Sequence, residues 1–130
     1  MFFYSCTLNY LWVQMLQIYG IGRRIWARKE DQEEAKEELM QNLKIIEGEL
    51  GDKLYFGGES IGYVDVALVP FTSWFYTYET CANFSIEEGC PKLIAWAKRC
   101  KENESVSKAL PDPLEIYDFL LQLKKRLGLQ

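Results

Sequence analysis

The chain has 130 residues, enough for one domain that buries roughly two thirds of its unfolded surface. Hydrophobic residues make up 48% and charged ones 26%, which predicts a packed core and excludes a disordered chain; aromatics, at 15%, are numerous enough to line a pocket or an interface as well. A net charge of −4 argues against a nucleic-acid binder, whose affinity comes mainly from basic contacts to phosphate.

Residues 1–22 carry no charged side chain, but Asn9, Gln14 and Gln17 interrupt the apolar run. The basic residues that begin a signal or anchor are missing, so the segment reads as a helix rather than a membrane anchor. A first helix is expected over about 11–29, with a weak break at Gly20 and Gly22. It ends in the cluster Arg23, Arg24, Arg28 and Lys29. An anion site is one reading of that cluster; the charge pattern favours a solvated helix end offset by the acidic run that follows.

A second helix is predicted over about 32–50. Leu39, Leu43, Ile46 and Leu50 are spaced four, three and four, one buried stripe. Glu33, Glu34, Glu37 and Glu38 fall in its first turns, where carboxylates complement the helix dipole and form a solvated face. Residues 51–60 are a loop turning at Gly57-Gly58, without the lysine and hydroxyl of a phosphate cradle. The next helix has a start signal: Gly62 as N-cap, Asp65 at N3, and Ile61 and Val66 at the two staple positions. It is expected over about 63–78, apolar nearly all round and therefore central, with Pro70 kinking it. Pro91 opens a helix to about 101, and a short turn follows over 105–110. Asp112, Pro113 and Glu115 start the last helix, whose stripe Ile116, Leu120, Leu123 and Leu127 ends at Gly128. About six helical segments and no strand alternation make the domain all-α.

The cysteines are Cys6, Cys81, Cys90 and Cys100, none in C-x-x-C spacing, and there is no histidine. No metal site is expected, and free thiols in a reducing cytosol fit better than the disulfides of a secreted protein. No nucleophile–base pair is legible, which counts against a self-sufficient covalent catalyst. Two triplets spaced i, i+4, i+7 do stand out. Tyr19, Arg23 and Trp26 share one helix face; Phe119, Leu123 and Arg126 share another. Each is an apolar stripe with one cation. By spacing alone it is either core or a wall for an aromatic or amphipathic ligand carrying negative charge.

The run GGESIGYVDVALVPFTSWFYTYET (57–80) resembles the tau-class glutathione transferases of plants. So do CPKLIAWAKR (90–99), ESVSKALPD (104–112), YDFLLQLKKRLG (117–128) and, upstream, YGIGRRIW (19–26). The resemblance covers about 18–130 and implies a glutathione transferase C-terminal-like helical bundle there, with Gly62 and Asp65 at the family's folding cap. Residues 1–17 depart from the family as a divergent apolar segment. In the family a thioredoxin-like domain binds glutathione, the co-substrate, and carries the activating serine. Nothing in these 130 residues is similar to that domain. The resemblance therefore implies no catalytic residue and no cofactor held by this chain alone. It leaves open whether the chain is an enzyme.

Carried over by position, Tyr19, Arg23, Trp26, Trp74, Phe119, Leu123 and Arg126 match the family's site for the hydrophobic electrophile. The implied function is that of a truncated family member holding the electrophile half of a conjugation and detoxification site, inactive alone and serving as a ligand-binding or interaction module. The alternative is a fragment of an active transferase whose glutathione-binding domain is missing from the gene model. Implied partners are small aromatic or amphipathic ligands and a homodimer or a heterodimer with full-length relatives, with neither nucleic acid nor membrane. The implied location is cytoplasmic. In such a fragment Phe2, Phe3, Tyr4, Tyr10, Leu11 and Trp12 are expected to cover the face that the missing domain leaves open.

Overall fold

The computed structural model describes residues 2–129, without the side chains of residues 2–10 and 12. Its regular elements are all helices among the described residues, as the periodicities predict. The first helix, α1 (Phe2–Ala27), begins well before position 11 and passes Gly20 and Gly22 without a break. Leu11, Met15, Ile18, Ile21 and Ile25 form its buried stripe, and this tertiary support offsets the low helix propensity of the two glycines. The boundary drawn between 1–17 and 18–130 falls inside α1. The expected cover by Phe2, Phe3, Tyr4, Tyr10 and Trp12 lies outside the described side chains, while Leu11 is buried in the core.

A 3-10 turn (Lys29–Asp31) reverses the chain into α2 (Gln32–Leu50), and α1 against α2 is the most extensive pairing in the domain. Ala35, Leu39, Leu43, Ile46 and Leu50 are buried between them. The acidic first turns of α2 answer the basic end of α1. Arg24 bonds Glu38 at 2.8 Å and lies 3.8 Å from Glu34, and Arg28 meets Asp31 at 3.3 Å. Gln32 Nε2 donates to the carbonyls of Ile25 and Cys81, both at 2.9 Å, tying three segments together.

The central helix is divided. After α3 (Tyr63–Leu68) the chain tightens into a 3-10 stretch (Val69–Trp74) before α4 (Phe75–Ala82). Pro70 has no N–H to give and its ring crowds the preceding turn, so what was expected as a kink is nearly two turns of tighter helix. Asn83 then takes the left-handed conformation (φ 53°) and stops α4, four residues beyond the expected end. A single turn, α5 (Ile86–Gly89), precedes α6 (Pro91–Lys101). The segment expected as a turn near 105–110 is the short helix α7 (Glu104–Ala109), with Asn103 Oδ1 accepting from the Ser105 N–H at 3.0 Å. Asp112 caps α8 (Pro113–Arg126) by accepting from the Leu114 N–H at 2.9 Å.

The folding cap is half a capping box. Asp65 Oδ2 accepts from the Gly62 N–H at 2.8 Å, as expected for N3, while Gly62 has no side chain to reciprocate. Val66 faces solvent, so a staple to Ile61 contributes little. Asp65 itself is only 1% exposed. It also accepts from the Phe56 N–H (2.8 Å), the Gly57 N–H (3.1 Å) and the indole of Trp96 (2.8 Å). One carboxylate thus joins the loop before α3, the start of α3 and the core of α6.

Candidate functional site

The helices that carry the two triplets flank the central helix. α1 packs on α4, and α8 packs on α4 and on the 3-10 stretch before it. Tyr19 is 57% exposed and meets the Phe71 ring edge-on at 5.4 Å. Trp74, half-buried at the end of the 3-10 stretch, stacks on Tyr78 at 6.3 Å. Tyr78 in turn sits on Gly22. A methyl group at position 22 would run into the phenol, so the glycine is what lets α1 and α4 close together there. Burial, with Tyr19 close by, holds the Tyr78 hydroxyl protonated well above its ordinary range. Tyr19 on Phe71, and Gly22 under the Tyr78 that Trp74 stacks on, are thus two contacts from α1 to the central segment.

Trp26 and Leu123 are half-buried, Arg23 and Arg126 are exposed, and Phe119 is 59% exposed. Of the seven residues picked from the sequence, Tyr19, Arg23, Phe119 and Arg126 are thus exposed, and Trp26, Trp74 and Leu123 half-buried. The last expected stripe residue, Leu127, is exposed, because α8 ends at Arg126 and Gly128 (φ 72°) turns the chain. The Gly128 N–H bonds the Lys125 carbonyl at 3.3 Å and the Leu129 N–H that of Lys124 at 2.9 Å, a Schellman turn. This brings Leu129 to Arg23, Arg24, Ala27 and Arg28, which together line a recess of about 360 Å³. Arg24 and Arg28 are engaged by α2 and the turn before it. Arg23 and Arg126 take part in no ion pair among the described residues.

Phe71, Tyr78 and Leu129 were not singled out from the sequence. Phe71 and Tyr78 lie three before and four after Trp74, so extending the helical spacing from that tryptophan would have found both. Leu129 has no such signal, since a turn beyond the helix places it.

The described thiols offer no alternative chemistry. Cys81, Cys90 and Cys100 are free. Burial, with Glu47 adding to it, pushes the Cys90 thiol up to about 11, and burial with Asp65 nearby does the same for Cys100. Such thiols are poor nucleophiles near neutrality. Among the described residues no three acidic or cysteine side chains converge as metal ligands, and no helix is long and apolar enough to cross a membrane.

Comparison with known proteins gives the family. Residues 3–104 match the model for the glutathione S-transferase C-terminal domain. A probable glutathione S-transferase of Nicotiana tabacum, parA, is 68% identical over 114 residues, covering 87% of this chain and 52% of the relative. Glutathione S-transferase U25 of Arabidopsis thaliana is 54% identical over 115 residues, covering 88% of this chain and 52% of its own length. A rice glutathione transferase, solved in complex with glutathione, superposes with a TM-score of 0.85 at 46% identity, over 94% of this chain and 56% of that one. The chain spans about half the length of the curated relatives it matches. It belongs to the glutathione transferase family, as a helical C-terminal domain of the plant tau class.

Proposed function

We propose that this domain supplies the wall that holds the hydrophobic electrophile in glutathione conjugation, and that its ligands are aromatic or amphipathic molecules carrying an acidic group. The observation that supports this most is the pair of aromatic contacts Tyr19–Phe71 and Trp74–Tyr78, with the uncommitted cation Arg23 on the same α1 face as Tyr19. Phe119, Leu123 and Arg126 put an aromatic, an aliphatic and a cationic side chain at the same spacing on α8. Aromatic rings offer large contact area at low entropic cost, and an exposed guanidinium adds selectivity for anions more than raw affinity. The role is detoxification in the cytoplasm, in keeping with the free thiols.

The test is a titration with an anionic aromatic dye followed by fluorescence. Replacing Trp26, Trp74 and Phe119 together with alanine should weaken binding at least tenfold, whereas Tyr63→Ala, an exposed aromatic on α3, should not. Unchanged affinity in the triple variant overturns the reading. Arg23→Gln with Arg126→Gln should erase the preference for anionic over neutral dyes.

Conjugation is a separate matter. An unperturbed thiol has a pKa of about 8.5, so glutathione stays mostly protonated near neutral pH unless a neighbouring group stabilises its thiolate. The chain has no histidine, and Arg23 and Arg126 are exposed, where solvent screens them. The 130-residue chain should show no turnover of an aromatic chloride above background, and clear turnover would refute that. A second reading, association with another copy or a longer relative, is favoured by Val13, Leu16 and Tyr19, which α1 presents to solvent. Sedimentation with Leu16→Glu decides it, since a charge in that stripe should dissociate any such complex.

A further inference from the structure

Tyr78 is where the aromatic contacts of the candidate site meet the packing of α1 on α4. Trp74 stacks on its ring. The atoms nearest to where a Cβ at position 22 would stand are the Tyr78 hydroxyl oxygen, the carbon that bears it and one ring carbon beside that. The hydroxyl end of the ring therefore lies at the Gly22 notch. Tyr19 is three residues before Gly22 and Trp26 four after it, so the helical period puts both side chains at the borders of the notch. Neither border is fully covered, since Tyr19 is exposed and Trp26 half-buried.

The residue is only 5% exposed, yet its hydroxyl makes no hydrogen bond among the described residues. A buried tyrosine ordinarily gives its O–H a partner, because a donor left alone loses its water without compensation. The unpartnered side-chain oxygens sealed from solvent among the described residues are those of Gln14, Ser73 and Thr77, and the Tyr78 hydroxyl is not one of them. It is thus both without a partner and open to solvent. Burial, with Tyr19 close by, also holds it protonated, so what it presents is a donor.

We propose that the Tyr78 hydroxyl donates a hydrogen bond to an oxygen of the ligand, which makes the wall selective for aromatic molecules that carry a carbonyl or similar acceptor oxygen. The proposal rests on the reading of this face as the ligand wall. It adds a neutral hydrogen bond that Arg23 and Arg126, which read charge, do not supply.

The experiment compares 1-acetylnaphthalene with 1-ethylnaphthalene, uncharged molecules of nearly the same shape of which only the first has an acceptor oxygen. Each is titrated into the 130-residue chain and into Tyr78→Phe, read by quenching of tryptophan fluorescence. Phenylalanine keeps the ring on which Trp74 stacks and removes the atom nearest the Gly22 notch, so the fold should hold, and circular dichroism checks it. The affinity of the ketone relative to the hydrocarbon should fall about threefold to tenfold in Tyr78→Phe, the worth of one neutral hydrogen bond. Tyr76→Phe, at an exposed tyrosine of the same helix, should leave that ratio unchanged. The infrared carbonyl band of the bound ketone gives a readout that packing alone does not move, and it should lie lower in the parent chain than in Tyr78→Phe. An unchanged ratio, or the same band position in both chains, overturns the proposal and leaves the ligand wall standing. Binding of neither molecule to the parent chain overturns both.

Discussion

Asp65 is the residue whose removal tests the account of this fold most directly. Its carboxylate is buried and accepts four hydrogen bonds, from the N–H groups of Phe56, Gly57 and Gly62 and from the Trp96 indole. Hydrogen bonds to a charged acceptor contribute about 1.5–3 kcal/mol each, and the contributions of one network do not simply add. In Asp65→Ala the loop amides can turn in part toward water, since residues 56, 57 and 62 are not fully buried. The Trp96 indole cannot. A loss of about 3–5 kcal/mol is expected, against a total of about 5–15 kcal/mol for a typical domain. That corresponds to a fall in Tm of roughly 10–20 °C. Asp65→Asn should lie between alanine and the parent, because its oxygen still accepts while its amide faces donors. Urea unfolding followed by tryptophan fluorescence and circular dichroism gives the numbers. Trp96→Phe, which deletes one donor and keeps the ring, should cost less, and the double variant should show strong coupling. An Asp65→Ala chain within about 1 kcal/mol of the parent would refute the claim that this carboxylate organises the domain.

Other expectations follow from the same geometry. Gly20→Ala should stabilise by about 0.5–1 kcal/mol, since a methyl there meets nothing, whereas Gly22→Ala should destabilise by about 1–3 kcal/mol by striking Tyr78; urea midpoints shifting the same way in both would refute the role of Gly22. Gly128→Ala, at a left-handed φ, should cost about 1–2 kcal/mol in the same urea assay, and should weaken protection of the Leu129 amide from hydrogen exchange. Cys90 and Cys100 are held protonated in the fold, with pKa values of about 11 against an ordinary 9.0, so the unfolded chain loses these protons first. Stability from these two groups is complete below pH 9.0 and declines as pH rises toward about 11, which denaturation midpoints across that window will show. Both thiols should react with a thiol reagent at neutral pH only after unfolding.

What the sequence determined by itself is what depends on neighbours along the chain. The stripe Leu39, Leu43, Ile46 and Leu50 marks α2 because burial repeats with the helical period, and its bounds agree with the structure. Pro91 and the Asp112-Pro113 pair mark the starts of α6 and α8 because a cap or an N1 proline acts within one turn. Even the missed turn α5 was written locally, as Ser85 followed by Glu88 in capping-box order. The family resemblance was legible for a related reason, since the same local signals recur in the same order.

The tertiary structure decided what depends on residues far apart in sequence. Local rules give Gly20 and Gly22 as a break, yet α1 runs through both because its buried stripe packs on α2 and Tyr78 fills the notch at Gly22. Local rules give Asp65 one partner, Gly62; three more come from residues 8 to 31 positions away, and only packing brings them there. Spacing places Tyr19, Arg23 and Trp26 on one face and Phe119, Leu123 and Arg126 on another. It cannot say that α1 and α8 both pack on α4, or that a turn at Gly128 carries Leu129 rather than Leu127 to α1. Helix period and capping are fixed by a few bonds between near neighbours, whereas the meeting of two faces depends on how all the helices fill one core.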